Sequence, residues 1–330
     1  MNEATDTLLI CGSFFGYARE IRLQLERGGR SVALFEDRPA TDSLTKALIR
    51  LAPSLMRPMA DAYFDAISAQ LRNCPVKDVL VVKGEALSQA AIRRMRAALP
   101  NARFTLYFWD SYRNMPPDSY DKVALFDRAL TFDPRDAEAD SRLTYRPLFF
   151  LDEYAALRDE EPDIDVLFFG TMHGDRYAVL QRLQRALPAQ LRFEKVLYFQ
   201  AHWLFWMRKL SDPTYWLAAQ RNFIFKPMSK AGIQALIARA RIVVDIERPV
   251  QSGYTMRTLE ILGAARKLIT TNREIANADF FNPANIAIVD RDAPVVPADF
   301  LSRQYEPPPS ALLRRYSLTG WLGDVLPTEK

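Results

Sequence analysis

Residues 7–39, TLLICGSFFGYAREIRLQLERGGRSVALFEDRP, limit the possible folds more than any other stretch of the chain. Leu8 to Cys11 is apolar at every position, so both strand faces must be covered, as in a parallel sheet. Gly12 to Gly16 forms a turn, Ala18 to Glu26 has helical spacing, Gly28-Gly29 ends that helix, and Val32 to Phe35 is a second apolar run. The order of strand, glycine turn, helix and strand predicts a βαβ unit. The same pattern returns with Val79 to Val82, Ser88 to Leu99 and Phe104 to Phe108, then with Arg128 to Phe132, and LTYRPLFF closes the first half. Residues 41–73 read as an amphipathic helix.

RDEEPDI, residues 158–164, is a charged break that reads as a linker. DVLFFGT then restarts the alternation with the helix DRYAVLQRLQRAL, the strand RFEKVLYF and an aromatic-rich helix, HWLFWMRKL. The helix SKAGIQALIARA, the strand RIVVDIE, a helix from Thr255 to Ala265, the strand Lys267 to Thr270 and the strand NIAIVD follow. After a proline break, residues 310–326 read as one amphipathic helix. A 330-residue chain suits two domains. The expectation is therefore α/β: two doubly wound, Rossmann-like parallel-sheet domains, 1–157 and 163–302, facing a central cleft, with a tail at 303–330.

Composition excludes several classes. The chain is 49% apolar and 25% charged, which argues against disorder. Net charge is only +4, with no run of five like charges, so no nucleic-acid partner is expected. Two cysteines, Cys11 and Cys74, and two histidines leave no zinc pattern, and no metal site is expected. The N-terminal residues lack a basic signal-peptide region, and no apolar run reaches the roughly 18 residues of a membrane span. A reducing cytoplasm is the expected compartment.

Ligands of such sheets bind at the carboxyl ends of strands, so the residues there are the candidates. Gly12 and Gly16 bracket Phe14 and Phe15 in a turn that either holds an anion or simply connects strand to helix. It is not GxGxxG, which weighs against a nicotinamide enzyme. Asp110 and Ser111 follow the Phe104–Phe108 strand, and Asp110 reads either as a general base or as a helix cap. Lys83 and Glu85 hold the same place on a neighbouring strand, and Lys83 is placed to pair with Asp110. Asp133 and Asp136 in TFDPRDA also fit ordinary turn chemistry. Gly170 and Arg176 surround a glycine turn at a helix start, a diphosphate-type site, with His173 between them. Lys226 is either a phosphate ligand or a solvated lysine. The densest polar group is Gln251, Ser252, Gly253, Thr255, Arg257 and Glu260, beside Thr271 and Asn272 at the next strand end, and a functional reading is favoured there. Arg257 and Glu260 lie three apart on one helical face.

FKPMS followed by VVDIERPVQSGYTMRTLEILGAARKLITTN resembles the C-terminal signature of GT-B-type bacterial glycosyltransferase-like proteins from lipopolysaccharide-core, capsule and exopolysaccharide clusters. VLVVKG, LYFWDS, LTFDPRDA and LFFGT…R resemble other blocks of that group, in the same order, from about residue 8 to about 290. The resemblance implies a nucleotide-sugar donor bound by the second domain, a glycolipid or polysaccharide acceptor, no metal, and no cofactor beyond the donor. Carried over, Glu260 holds the ribose, while Lys226, Arg257 and the Gly253 loop meet the diphosphate. Asp110 is the base chosen from the first domain. Many GT-B enzymes carry two Glu seven apart here; this chain has Gly253 seven residues before Glu260. The C-terminal helix is expected to cross back onto the first domain. The alternative for that helix is attachment at the cytoplasmic face of the inner membrane. A non-catalytic sugar-nucleotide or glycan-binding protein of the same fold is the second functional reading.

Overall fold

A computed structural model describes residues 4–12, 16–39, 53–116, 118–159, 161–248 and 252–327. Phe14, Phe15 and Gln251 lie outside the described residues. The chain divides into two compact units, 1–148 with 318–330, and 149–317.

In the first unit, β1 (Thr7–Cys11), β2 (Val32–Phe35), β3 (Asp78–Val82), β4 (Arg103–Phe108), β5 (Arg128–Thr131) and β6 (Leu143–Tyr145) form one sheet in the order β2-β1-β3-β4-β5-β6. Every pairing is parallel. The connections carry α1 (Tyr17–Arg27), α2 (Pro53–Leu71), α3 (Gln89–Ala98), α4 (Ser119–Lys122) and α5 (Pro134–Ala139). All of β1 and β3 is buried, Cys11 included, as continuous apolar runs require. Gly16 caps α1 at φ 78°, a left-handed conformation that glycine adopts without a Cβ penalty.

The second unit holds α6 (Asp152–Ala155), β7 (Ile164–Thr171), α7 (Arg176–Ala186), β8 (Phe193–Tyr198), α8 (His202–Ser211), β9 (Phe223–Ile224), α9 (Lys230–Arg239), β10 (Ala240–Asp245), α10 (Met256–Gly263), β11 (Lys267–Thr270), β12 (Ile286–Ile288), α11 (Ala298–Ser302) and α12 (Ser310–Tyr316). Its sheet runs β12-β11-β10-β7-β8-β9, again all parallel.

Two boundaries differ from the sequence reading. The units divide at 148/149, ahead of the charged 158–164 segment. Phe150 and Tyr154 are buried anchors of the second unit: the Phe150 amide donates to Tyr316 O at 2.9 Å, and the Tyr154 phenol bonds Glu260. These contacts place the chain from Phe149 onward with the second unit.

The tail is two helices, not one. Ser317 caps α12 in an extended conformation, and α13 (Leu318–Val325) follows. Tyr316 belongs to the second unit through Asp279 at 2.6 Å and the Phe280 ring at 5.0 Å. α13 belongs to the first unit: Trp321 sits edge-on to Tyr107 at 4.8 Å, Asp324 pairs with Arg146 at 2.7 Å, and Thr319 meets Gln24 at 2.9 Å. Trp321, Leu322, Val325 and Leu326 are all buried, so α13 has spent its apolar face on protein packing.

Candidate functional site

In the second unit the strand order reverses between β7 and β10, the crevice where open α/β sheets bind ligands. Gly170, the penultimate residue of β7, sets the geometry there. A Cβ at Gly170 would stand 3.4 Å from Arg257 Nη1 and 3.5 Å from Arg176 Nη1. The bare glycine thus lets two guanidinium groups approach one point of the backbone.

Arg176 opens α7 and is fixed by two carbonyls, donating from Nε to Ile246 O at 2.7 Å and from Nη1 to Thr171 O at 3.1 Å. Burial pushes its pKa down to about 10, with Asp245 opposing and Arg257 and Arg248 adding to the fall. Arg257, in the first turn of α10, donates Nη1 to Phe169 O and stacks on the Phe169 ring at 3.7 Å. Its Nε is buried without a hydrogen-bond partner among the described residues. Two cations side by side, one with a spare donor, are a geometry able to hold an anion.

α10 starts where it does because of Asp245, at the end of β10. This buried carboxylate accepts from the Thr255 hydroxyl and from Thr258 Oγ1 at 3.1 Å, while Thr255 Oγ1 caps the helix by accepting from Thr258 N at 3.1 Å. Glu260 is buried, and its partner is the Tyr154 phenol, whose pKa is raised by burial and then by Glu260 itself. Arg257 and Glu260 share a helix but have separate partners, Phe169 and Tyr154.

The polar end of β11 turns inward. Asn272 Nδ2 donates to Ser252 O at 3.5 Å and Gly253 O at 3.4 Å, holding the loop that leads into α10. Thr271 donates to Glu247 Oε2 at 2.5 Å. Arg291 ties the group together, reaching Glu247 Oε1 at 2.8 Å, Thr271 Oγ1 at 3.0 Å and Asp175 Oδ1 at 2.6 Å. Thr271 and Asn272, with the Ser252 carbonyl, are thus tied into the frame around the loop that leads into α10. Lys226 is exposed and lines a groove of about 870 Å³ with Phe225, Met228 and His202, whose ring stacks on Phe225 at 3.8 Å.

His173 is half-buried and its pKa is lowered to about 4, by burial first and then by Arg176 and Arg248. Between about pH 4 and 6.5 the unfolded chain binds the proton and the fold does not, so stability falls as pH drops through that window. With solvent screening the loss is on the order of 1 kcal/mol. His173→Gln is expected to flatten this acid limb of the melting temperature and to leave the neutral-pH value unchanged. Identical acid limbs would refute the assignment.

In the first unit the order reverses between β1 and β3. Gly12 is buried after β1, and Lys83 follows β3 with φ 73°, a left-handed conformation that costs a non-glycine residue on the order of 1–2 kcal/mol. That turn brings Lys83 Nζ to 2.7 Å from Asp110 and 3.7 Å from Glu85, which Arg38 also meets at 3.2 Å. Asp110 is 41% exposed and does not cap the following turn, which Ser111 precedes. Ser111 itself is buried, donating its hydroxyl to Asp133, so it does not face a ligand. Asp133 caps α5 by accepting from Arg135 N at 3.1 Å, and burial pushes Asp136 up to about 6. Among the described residues no group of three His, Cys, Asp or Glu side chains is placed to hold a metal ion.

Asp245, Glu247, Arg291 and Tyr154 were not among the expected site residues. Asp245 carries the one readable signal, a carboxylate ending an apolar strand. The others have partners too distant in sequence to announce themselves.

Two all-parallel six-stranded units, each with its reversal of strand order, define a GT-B glycosyltransferase fold. The solved structures it matches include a glycosyltransferase from Rickettsia africae ESF-5, at TM-score 0.66 and 12% identity over 100% of both chains. Anabaena HepE in complex with UDP and glucose matches at TM-score 0.64 and 9% identity over 98% of both chains. The catalytic domain of Arabidopsis thaliana starch synthase IV, bound to ADP and acarbose, matches at TM-score 0.54 and 8% identity over 87% of this chain and 88% of that one. No family model and no curated protein matches the chain.

Proposed function

We propose that the protein is a glycosyltransferase that moves a sugar from a nucleotide-sugar donor to a hydroxyl of a lipopolysaccharide, capsule or exopolysaccharide acceptor, without a metal. The observation that carries this reading is the pair Arg176 and Arg257 converging on Gly170 at the strand-order reversal of the second unit. A departing nucleoside diphosphate gains charge as the glycosidic bond breaks, and fixed cations that need no reorganisation offset it. Arg257 has a donor to spare for that charge, and Lys226 supplies a further mobile one. Glu260, held by Tyr154, takes the ribose hydroxyls. Asp110 in the first unit takes the acceptor proton, and Lys83, Glu85, Gly12 and Gly16 stand beside the acceptor. The complex of HepE with UDP and glucose supports UDP as the first nucleotide to try. The protein is proposed to work in the cytoplasm, at the inner face of the membrane that presents such acceptors.

Thermal shift against UDP, GDP, CMP and dTDP tests the donor half, with NAD as the control. One nucleotide is expected to stabilise the protein in proportion to its occupancy. Glu260→Ala and Arg257→Ala are each expected to weaken that nucleotide about tenfold, the loss of one hydrogen bond to a charged group. Unchanged affinity in both variants, or stabilisation by NAD alone, would sink the reading. Binding without turnover returns the non-catalytic alternative, and loss of turnover in EDTA refutes metal independence.

A further inference from the structure

The helix HWLFWMRKL lends His202 to the groove beside Lys226, but its outer face takes no part in the site just described and is an unusual surface among the described residues. Trp203, Trp206, Met207 and Leu210 recur at i, i+3, i+4 and i+7, the spacing by which a helix usually meets its core. On α8 that row points outward. The core is met instead by Phe205, fully buried among Phe199, Tyr215 and Phe223. Leu210 is 84% exposed, and Leu217, just beyond the helix, is 99% exposed beside the exposed Trp216. Three of the chain's five tryptophans stand in this one patch.

The patch is continuous. Lys209 Nζ donates to Ala218 O at 2.8 Å and lies 5.8 Å from the Trp206 ring, fastening α8 to the segment that carries Trp216 and Leu217. Its charge is one-sided. Between Gln200 and Arg221 the chain has Arg208, Lys209 and Arg221 against Asp212 alone. The Asp212 carboxylate is turned to Thr214 N at 3.0 Å and Thr214 Oγ1 at 2.7 Å.

We propose that the outer face of α8, with Trp216 and Leu217, is an interfacial patch that seats the protein on an anionic lipid bilayer. Indole and thioether side chains enter the boundary between headgroup and acyl chain, where an apolar body and a polar tip are both satisfied. Arg208 and Arg221 remain at the level of the lipid phosphates. A short helix with aromatic and aliphatic side chains on one face and cations beside it lies in the interface plane and does not span it. Among the described residues no helix is long and apolar enough to cross a membrane, which fits attachment of this kind. The role first considered for the C-terminal tail thus moves to a different element, because the apolar side chains of α13 are buried. The inference extends the reading of a membrane-presented acceptor, but it stands on the patch alone.

Flotation of the full chain with vesicles of phosphatidylcholine, with and without phosphatidylglycerol, tests it. The wild type is expected to float with the anionic vesicles, with a blue shift in tryptophan emission, and to partition about tenfold less into the zwitterionic ones. Trp206→Ser/Leu210→Ser/Leu217→Ser and Arg208→Glu/Arg221→Glu are each expected to lose about tenfold or more in partitioning, with an unchanged melting temperature. Failure of the wild type to float overturns the proposal, as does an apolar variant that floats like the wild type. Lipid-free dimerisation that the apolar variant abolishes, without flotation, would assign the face to a second copy of the chain instead. A wild type that floats yet is not stabilised by any nucleotide supports the patch while removing the donor reading.

Discussion

Asp110→Asn is expected to lower sugar transfer by about 10²–10⁴-fold, the range that positioned proton transfer contributes. The amide keeps the shape of the carboxylate and an oxygen for Lys83, so the loop after β4 has no reason to move. What it loses is the capacity to accept a proton. Asp110 is the carboxylate at this strand end that is both exposed and fixed: its side chain is 41% accessible, and Lys83 Nζ holds it at 2.7 Å. Lys83 reaches it only through the left-handed turn at φ 73°, with the Lys83 amide donating to Tyr107 O at 2.8 Å. Strain kept beside a charged pair is a mark of positioned chemistry. Nucleotide affinity should stay at the wild-type value, because the donor residues belong to the other compact unit. Transfer assayed with the donor of the stabilising nucleotide decides the matter. Full turnover by the Asn variant would remove Asp110 as base and turn attention to Asp136, whose carboxyl is held near pH 6 by burial.

The parts of the fold that were legible in the sequence are those whose signal is local. Val32–Phe35 and Lys267–Thr270 have the expected bounds, the first a half-buried apolar edge strand and the second fully buried, each stopping at its turn. The positions of Gly170, Arg176 and Arg257 in the fold were legible for a similar reason, since each sits at a strand–helix junction where the sheet rule directs attention. Direction was harder to read than position. Ser111 and Thr271 are where the sequence put them, yet their hydroxyls turn to buried carboxylates, Asp133 and Glu247. Arg291 gave no signal, because its partners Glu247 and Asp175 lie 44 and 116 residues away. The tail failed in the same way. Helical spacing runs unbroken across Ser317, while the reason for the break is that Tyr316 and Trp321 answer to two different cores.

Gly263→Ala is expected to destabilise the second unit by about 1–2 kcal/mol, the cost of overpacking less the helix propensity that alanine regains. The partner that needs the space left by Gly263 is Phe150. A Cβ on Gly263 would stand 2.6 Å from both Cγ and Cδ2 of Phe150 and 3.1 Å from its Cβ. These atoms lie at the root of the side chain, so no rotation of the ring clears all three. Phe150 cannot retreat easily either, because its amide is bonded to Tyr316 O and the ring is buried. The effect should therefore appear as a lower denaturant midpoint with an unchanged slope. Phe150→Ala alone is expected to cost about 3–5 kcal/mol by emptying the same space. Combined, the two changes should cost less than their sum, since the new methyl fills part of the cavity. Strict additivity, or a wild-type midpoint for Gly263→Ala, would show that α10 does not depend on this contact. A partial loss would matter for the site as well, because α10 carries Arg257 and Glu260. A variant that stays folded but binds nucleotide more weakly would show that the seat of this helix sets the position of both side chains.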